Sequence, residues 1–228
     1  MTTARSNART IARTTLAAAV SAVVAGTLAV TVASEVQAQP HQPHQPQQQP
    51  AKRAAAAAPG FLAAKDLPPV EGTPWYAGKV TKGMPESPVL CLEDVLPANG
   101  ATWHRTFRTD LDAEALQVTV VTPNARAAER LATAANKAVA DCAADWLRAN
   151  PGSTAAWDDY GHLPVEEGAH AYGTYFARPQ AGMSVNLHGI GRDGNTVTFV
   201  DWGRMGTLKD APVSAFKQTT TTAVNKLR

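Results

Sequence analysis

The sequence predicts an α+β domain: an antiparallel β-sheet with a long α-helix and a C-terminal α-helix packed on it, closed by one disulfide. Three observations predict it. Leu116, Val118 and Val120 alternate with Gln117 and Thr119, the period-two pattern of a half-buried strand. Leu131, Ala135, Val139, Cys142 and Trp146 step by three and four along one helical face. Two apolar runs, 183–191 and 195–203, flank Asp193-Gly194, a dipeptide suited to a hairpin turn.

Ahead of the domain, residues 1–38 follow the plan of a secretory signal. Arg5, Arg9 and Arg13 form a positive start, Leu16 to Val32 an apolar run, and Val36-Gln37-Ala38 a peptidase-type end. The competing reading is an uncleaved anchor, for which the run of about 17 residues is short. No Cys lies near the cleavage position and no Arg pair precedes the run, which excludes a lipoprotein anchor and favours the general export route. The sequence therefore predicts a secreted or envelope-associated protein, touching membrane only through a retained signal.

Residues 39–59 are a linker. Their Gln and Pro repeats cannot bury apolar surface and favour an extended spacer. His41 and His44 lack the further ligands a metal site needs. Residues 60–228 remain as one domain.

Charge reads differently once the signal is removed. The chain has 21 basic and 19 acidic residues. Without Arg5, Arg9, Arg13 and Glu35 there are 18 of each, and without Lys52 and Arg53 of the linker the folded part is −2. A basic footprint for phosphate backbones is missing, so nucleic acid is excluded as a partner.

Within the domain, Phe61 to Pro69 reads as a short helical turn ended by prolines. A Pro/Gly-rich stretch carrying Trp75 and Tyr76 follows, then a segment holding Cys91. Residues 103–109 and 115–122 read as two strands. The long helix starts at Asn124, a suitable N-cap, and ends before Asn150-Pro151-Gly152. Residues 169–177 read as a further strand. Taking Arg192 opposite Asn195 pairs Leu187 with Val200 and His188 with Phe199. Asp210-Ala211-Pro212 opens the last helix, whose Thr219 to Thr222 are poor helix formers that packing must support.

Cys91 and Cys142 are the only cysteines, and export predicts a disulfide between them. Cys142, on a packed alanine-rich face, is a poor nucleophile candidate.

No motif carries a reaction. Gly189-x-Gly191-x-x-Gly194 matches the dinucleotide pattern in letters, but strand follows strand there, so it reads as a hairpin turn. One segment gathers polar chemistry: Trp157, Asp158, Asp159, Tyr160 and His162, then Glu166, Glu167 and His170. It reads as a solvated loop whose spacing matches neither a metal site nor a glycosidase carboxylate pair. Loops on rigid scaffolds bind ligands, so Trp157, Asp159, Tyr160 and His162 are candidate ligand-binding residues, with Trp75 and Tyr76 a second candidate surface.

The opening Phe61-Leu62-Ala63-Ala64-Lys65-Asp66-Leu67-Pro68, the segment at Cys91, the helix with Cys142 and Trp146, and the closing strand–helix resemble the extracellular sensor domain of actinobacterial receptor kinases of the PknH type. That family also has free-standing secreted members. The resemblance implies an antiparallel sheet with helices and a cleft for an unidentified ligand. Kinase-linked members carry two disulfides, whereas this chain can form one and has no kinase region.

The sequence therefore predicts a non-enzymatic binding or sensing module of the cell envelope. It needs no cofactor or metal, and its partner is a small molecule or an envelope protein. The alternatives are a metal-dependent or acid–base hydrolase using Asp158, Asp159, His162, Glu166 and His170, and a structural protein-interaction domain.

Overall fold

The computed structural model describes residues 58–97 and 101–227. The signal at 1–38 and nearly all of the linker at 39–59 lie outside the described residues.

Eight strands form one antiparallel sheet: β1 (Tyr76–Ala77), β2 (Thr81–Lys82), β3 (Ala101–Arg108), β4 (Glu114–Val121), β5 (Thr154–Leu163), β6 (Ala169–Arg178), β7 (Gly182–Asp193) and β8 (Thr196–Met205). Their order is β1-β3-β4-β8-β7-β6-β5, with β2 also paired to β3. Two helices, α1 (Ala125–Ala149) and α2 (Val213–Asn225), complete the α+β fold.

The helices cover opposite faces. On one side α1 and the turns around Leu92 and Leu96 pack on Val118, Tyr172, Ile190 and Phe199. On the other, Phe216 and Ala223 of α2 pack with Leu62 and Leu67 on Val185, Leu187, Val200 and Trp202. With both faces covered, β4 is not half-buried as its alternation predicts. Gln117 and Thr119 are 0% exposed and form a buried polar ladder. The Leu62 N–H donates to Gln117 Oε1 at 2.7 Å, Gln117 Nε2 donates to Thr198 Oγ1 at 3.0 Å, and Thr119 Oγ1 lies 3.2 Å from the same hydroxyl. Buried polar groups persist when partnered in this way.

Local signals place α1 as expected. The Asn124 side chain accepts from the Ala127 N–H at 2.9 Å, and the buried stripe runs through Ala128, Ala135, Val139 and Ala143. In α2 the threonines turn their hydroxyls back onto the helix: Thr220 donates to Phe216 O and Thr222 to Gln218 O. Thr219 also reaches Asp66 O at 2.6 Å. These residues, poor in propensity, are thereby held by local bonds and by packing.

Hairpin β7–β8 differs in register from the expectation. Asp193 pairs with Thr196 and His188 with Asp201, so the turn residues are Gly194-Asn195. Only Gly194 takes a positive φ, +56°, the pattern of a type II′ rather than a type I′ turn. Asn195 is held elsewhere, since its amide donates to Thr122 O at 2.8 Å and its carbonyl accepts from the Thr122 N–H. The shift is by two, so every side chain keeps its face.

Cys91 and Cys142 are bonded, their Cα atoms 5.4 Å apart. The bond fits an oxidising, extracellular location. Among the described residues no helix is long and apolar enough to cross a membrane.

Asp66 joins the start of the domain to its end. Its carboxylate accepts from the Ala63 N–H at 2.7 Å and lies 3.1 Å from Lys226 Nζ. Burial opposes the charged form, but the Ala63 bond and Lys226 outweigh it and hold the pKa below the ordinary value. A lowered folded-state pKa contributes stability that is full above the unfolded value and fades as pH falls through the folded one. Asp66→Asn is therefore expected to unfold about 1–2 kcal/mol more easily at neutral pH. Urea titrations should show that gap closing as pH falls below the ordinary carboxylate range.

Candidate functional site

The segment expected as a loop, Trp157 to His162, is strand β5 at the sheet edge. Its pairing with β6 decides where each side chain goes. Trp157 pairs with Thr174 and Asp159 with Tyr172; a bulge at Tyr160 then shifts the register, so that Gly161 meets Ala171 and His162 meets His170. Gly161 takes φ +90° there, and its N–H donates to Asp159 Oδ1 at 2.7 Å. A bulge re-aims side chains, and this one returns His162 to the face shared by Trp157 and Asp159.

On that face an aromatic stack is braced against the sheet. The Trp157 ring, 42% exposed, lies 6.2 Å from that of Tyr172 at 42°. Tyr172, 6% exposed, stacks on His170 with centroids 4.4 Å apart. His170 Nε2 is 2.5 Å from Asp159 Oδ1. The His170 bond and the Gly161 N–H hold the Asp159 pKa below the ordinary value against modest desolvation. Burial, followed by the Asp159 charge, raises the pKa of the Tyr172 hydroxyl. The His162 ring lies over Gly168, where an added Cβ would sit 2.6 Å from His162 Nε2.

Other candidates do not join this cluster. Tyr160 projects to the opposite face and lies across Gly173, with no room for a Cβ between them; burial raises its pKa. Asp158 alternates to the same side as Tyr160. Glu167 accepts from the Gly194 N–H at 3.0 Å, tying its turn to hairpin β7–β8. Trp75 and Tyr76 sit at the far end of the sheet order, beside β3. The Trp75 indole donates to Pro68 O at 2.7 Å. The Tyr76 hydroxyl donates to Asp110 at 2.8 Å, which raises the Tyr76 pKa. The six candidate residues thus divide over three places: Trp157, Asp159 and His162 share one face of β5, Tyr160 lies on the other, and Trp75 and Tyr76 are at the far end of the sheet. Of the residues of this segment suited to acid–base work, Asp159 and His170 are in contact. Among the described residues no three His, Cys, Asp or Glu side chains converge as metal ligands would.

Two features carry no local sequence signal. The first is an apolar groove of about 520 Å³ beside the first turns of α1, walled by Val95, Pro97, Ala101, Val120, Ala127 and Leu131. Its walls come from four separate stretches of chain, so only the assembled fold reveals it. The second is a buried line across three strands. Thr174 Oγ1 lies 2.9 Å from His188 Nε2, and His188 Nδ1 lies 3.2 Å from Asp201 Oδ1, an ion-pair distance without hydrogen-bond alignment. The types are those of a nucleophile, base and orienting acid. Thr174 and His188 are 0% and 2% exposed, so no substrate reaches the hydroxyl and the line serves the interior.

No protein-family model matches the chain, and no curated protein matches it. Among solved structures, the chain is similar to the extracellular domain of PknH from Mycobacterium tuberculosis. That match has 15% identity and a TM-score of 0.41, covering 67% of this chain and 85% of the other.

Proposed function

We propose that the domain is a non-enzymatic binding module of the exterior or cell envelope, taking a small molecule with an apolar body into the groove beside α1. The groove carries the reading. About 520 Å³ falls within the size range of small-molecule sites, and apolar walls are what such sites present. Trp157, Asp159 and His162 on the β5–β6 face offer a second contact surface, where a polar group or a larger partner would be read.

The test is a titration with N-phenyl-1-naphthylamine, a neutral apolar fluorophore. Saturable one-site binding is expected. Ala127→Phe fills the groove from the first turn of α1 and should weaken binding at least about tenfold with the melting temperature within a few degrees. Unsaturable binding, or binding indifferent to Ala127→Phe, would reject the groove.

A further inference from the structure

Resting on that reading of the domain as a binding module, we propose that the Trp157 shelf on the β5–β6 edge is a subsite for a neutral pyranose ring of a glycan, stacked on the indole and hydrogen-bonded by Asp159.

A sugar ring offers two chemistries at once. Its axial C–H groups form an apolar patch that packs against a flat aromatic face, and its equatorial hydroxyls donate outward to acceptors beside that face. Trp157 supplies the face. Its ring is exposed, yet it is braced from beneath by buried Tyr172, itself stacked on His170. Rigid aromatic anchors of this kind give contact area at little entropic penalty.

Asp159 supplies the acceptor. It stands two residues along the same strand, roughly 7 Å from Trp157 on the same face, the span of about one pyranose ring. Its Oδ1 is occupied by His170 Nε2 and the Gly161 N–H. These bonds fix the carboxylate in place and leave Oδ2 for a hydroxyl donor. His162, exposed on the same face, adds a further polar group beside the shelf.

Charge narrows the ligand class. Asp159 is an exposed carboxylate on the Trp157 face, so phosphorylated or acidic sugars meet repulsion there. A quaternary ammonium ion is recognised by several aromatic faces arranged as a cage, and here one indole face is presented. The edge position suits a glycan, because a chain can continue past β5 on its open side.

The experiment follows the indole N–H resonances of the full chain, with Trp157 assigned through Trp157→Phe. Methyl β-D-glucopyranoside, methyl β-D-galactopyranoside and methyl α-D-mannopyranoside are added separately to about 50 mM, enough to reveal millimolar affinity. Tetramethylammonium chloride serves as the cation control. At least one pyranoside should shift the Trp157 resonance saturably, and Asp159→Ala should weaken that response at least tenfold with an unchanged melting temperature. Trp157→Ala should abolish saturation-transfer signals on the sugar. No shift with any pyranoside, a shift with tetramethylammonium alone, or sugar binding retained in both variants would overturn the assignment. Naphthylamine binding in the same samples reports on the groove separately, so loss of the sugar site and loss of the binding module are distinguishable.

Discussion

Cys91→Ser/Cys142→Ser is expected to unfold about 4 kcal/mol more easily than the parent chain, the largest effect of any change short of the central packing. The bond spans a sequence separation of 51, and closing a loop of that length removes about that much chain entropy from the unfolded state. The tie has a structural partner as well. Val89, Leu92 and Leu96, flanking Cys91, pack with Val139 of α1 on the sheet, so the bond anchors a stretch without regular structure that also walls the groove at Val95 and Pro97. For a domain of this size the loss corresponds to about 10 °C in melting temperature, with naphthylamine affinity falling alongside. Cys91 adds a control, because it sits at φ +65°, where a side chain costs about 1 kcal/mol and glycine does not. Cys91→Gly/Cys142→Ser should therefore melt above the Ser/Ser variant. A melting shift under about 3 °C for Ser/Ser would show that packing alone holds the segment.

What was legible in the sequence, and what was not, divides along physical lines. Elements with a strong local code came through: the Asn124 cap, the α1 stripe, and the strands around Val118 and Val200, whose alternation sets their faces. The β7–β8 register slipped by two because Asp193-Gly194 and Gly194-Asn195 are both acceptable turns, and a bond from Asn195 to Thr122, distant in sequence, selects the second. Gln117 looked solvent-facing because alternation reports only that two faces differ, not that a second helix covers the other. Strand β5 was missed for a different reason. Asp158, Asp159 and Gly161 are poor strand formers, and an edge strand needs no apolar run when its neighbour supplies the pairing. The candidate site shares that fate. Trp157, Asp159 and His162 lie close in sequence; simple alternation puts Trp157 and Asp159 on one face and Tyr160 on the other, but only the bulge at Tyr160 returns His162 to the first face. Their partners His170 and Tyr172 arrive through pairing with β6.

Gly189→Ala should destabilise the domain by about 3 kcal/mol, although alanine in a strand interior is ordinarily the better residue. The glycine pair Gly189 and Gly191 lies within β7, in the run expected as a strand, where α2 crosses the sheet. A Cβ on Gly189 would stand 2.3 Å from Thr220 Oγ1 and 2.8 Å from its Cγ2, and one on Gly191 would stand 2.3 Å from Val224 Cγ2. Gly189 has no positive φ, so its backbone accepts alanine and only the missing space forbids it. That makes the effect separable. Thr220→Ala removes the two nearest atoms and leaves the Thr220 Cβ, 3.1 Å away, together with the loss of one hydroxyl bond to Phe216 O. The double variant Gly189→Ala/Thr220→Ala should therefore recover at least about 1 kcal/mol relative to the sum of the single changes, a coupling that urea titrations resolve. Additive single effects would mean that α2 moves away from the sheet as a unit, and that its close approach at Gly189 contributes little to holding Trp202 and Leu187 beneath it.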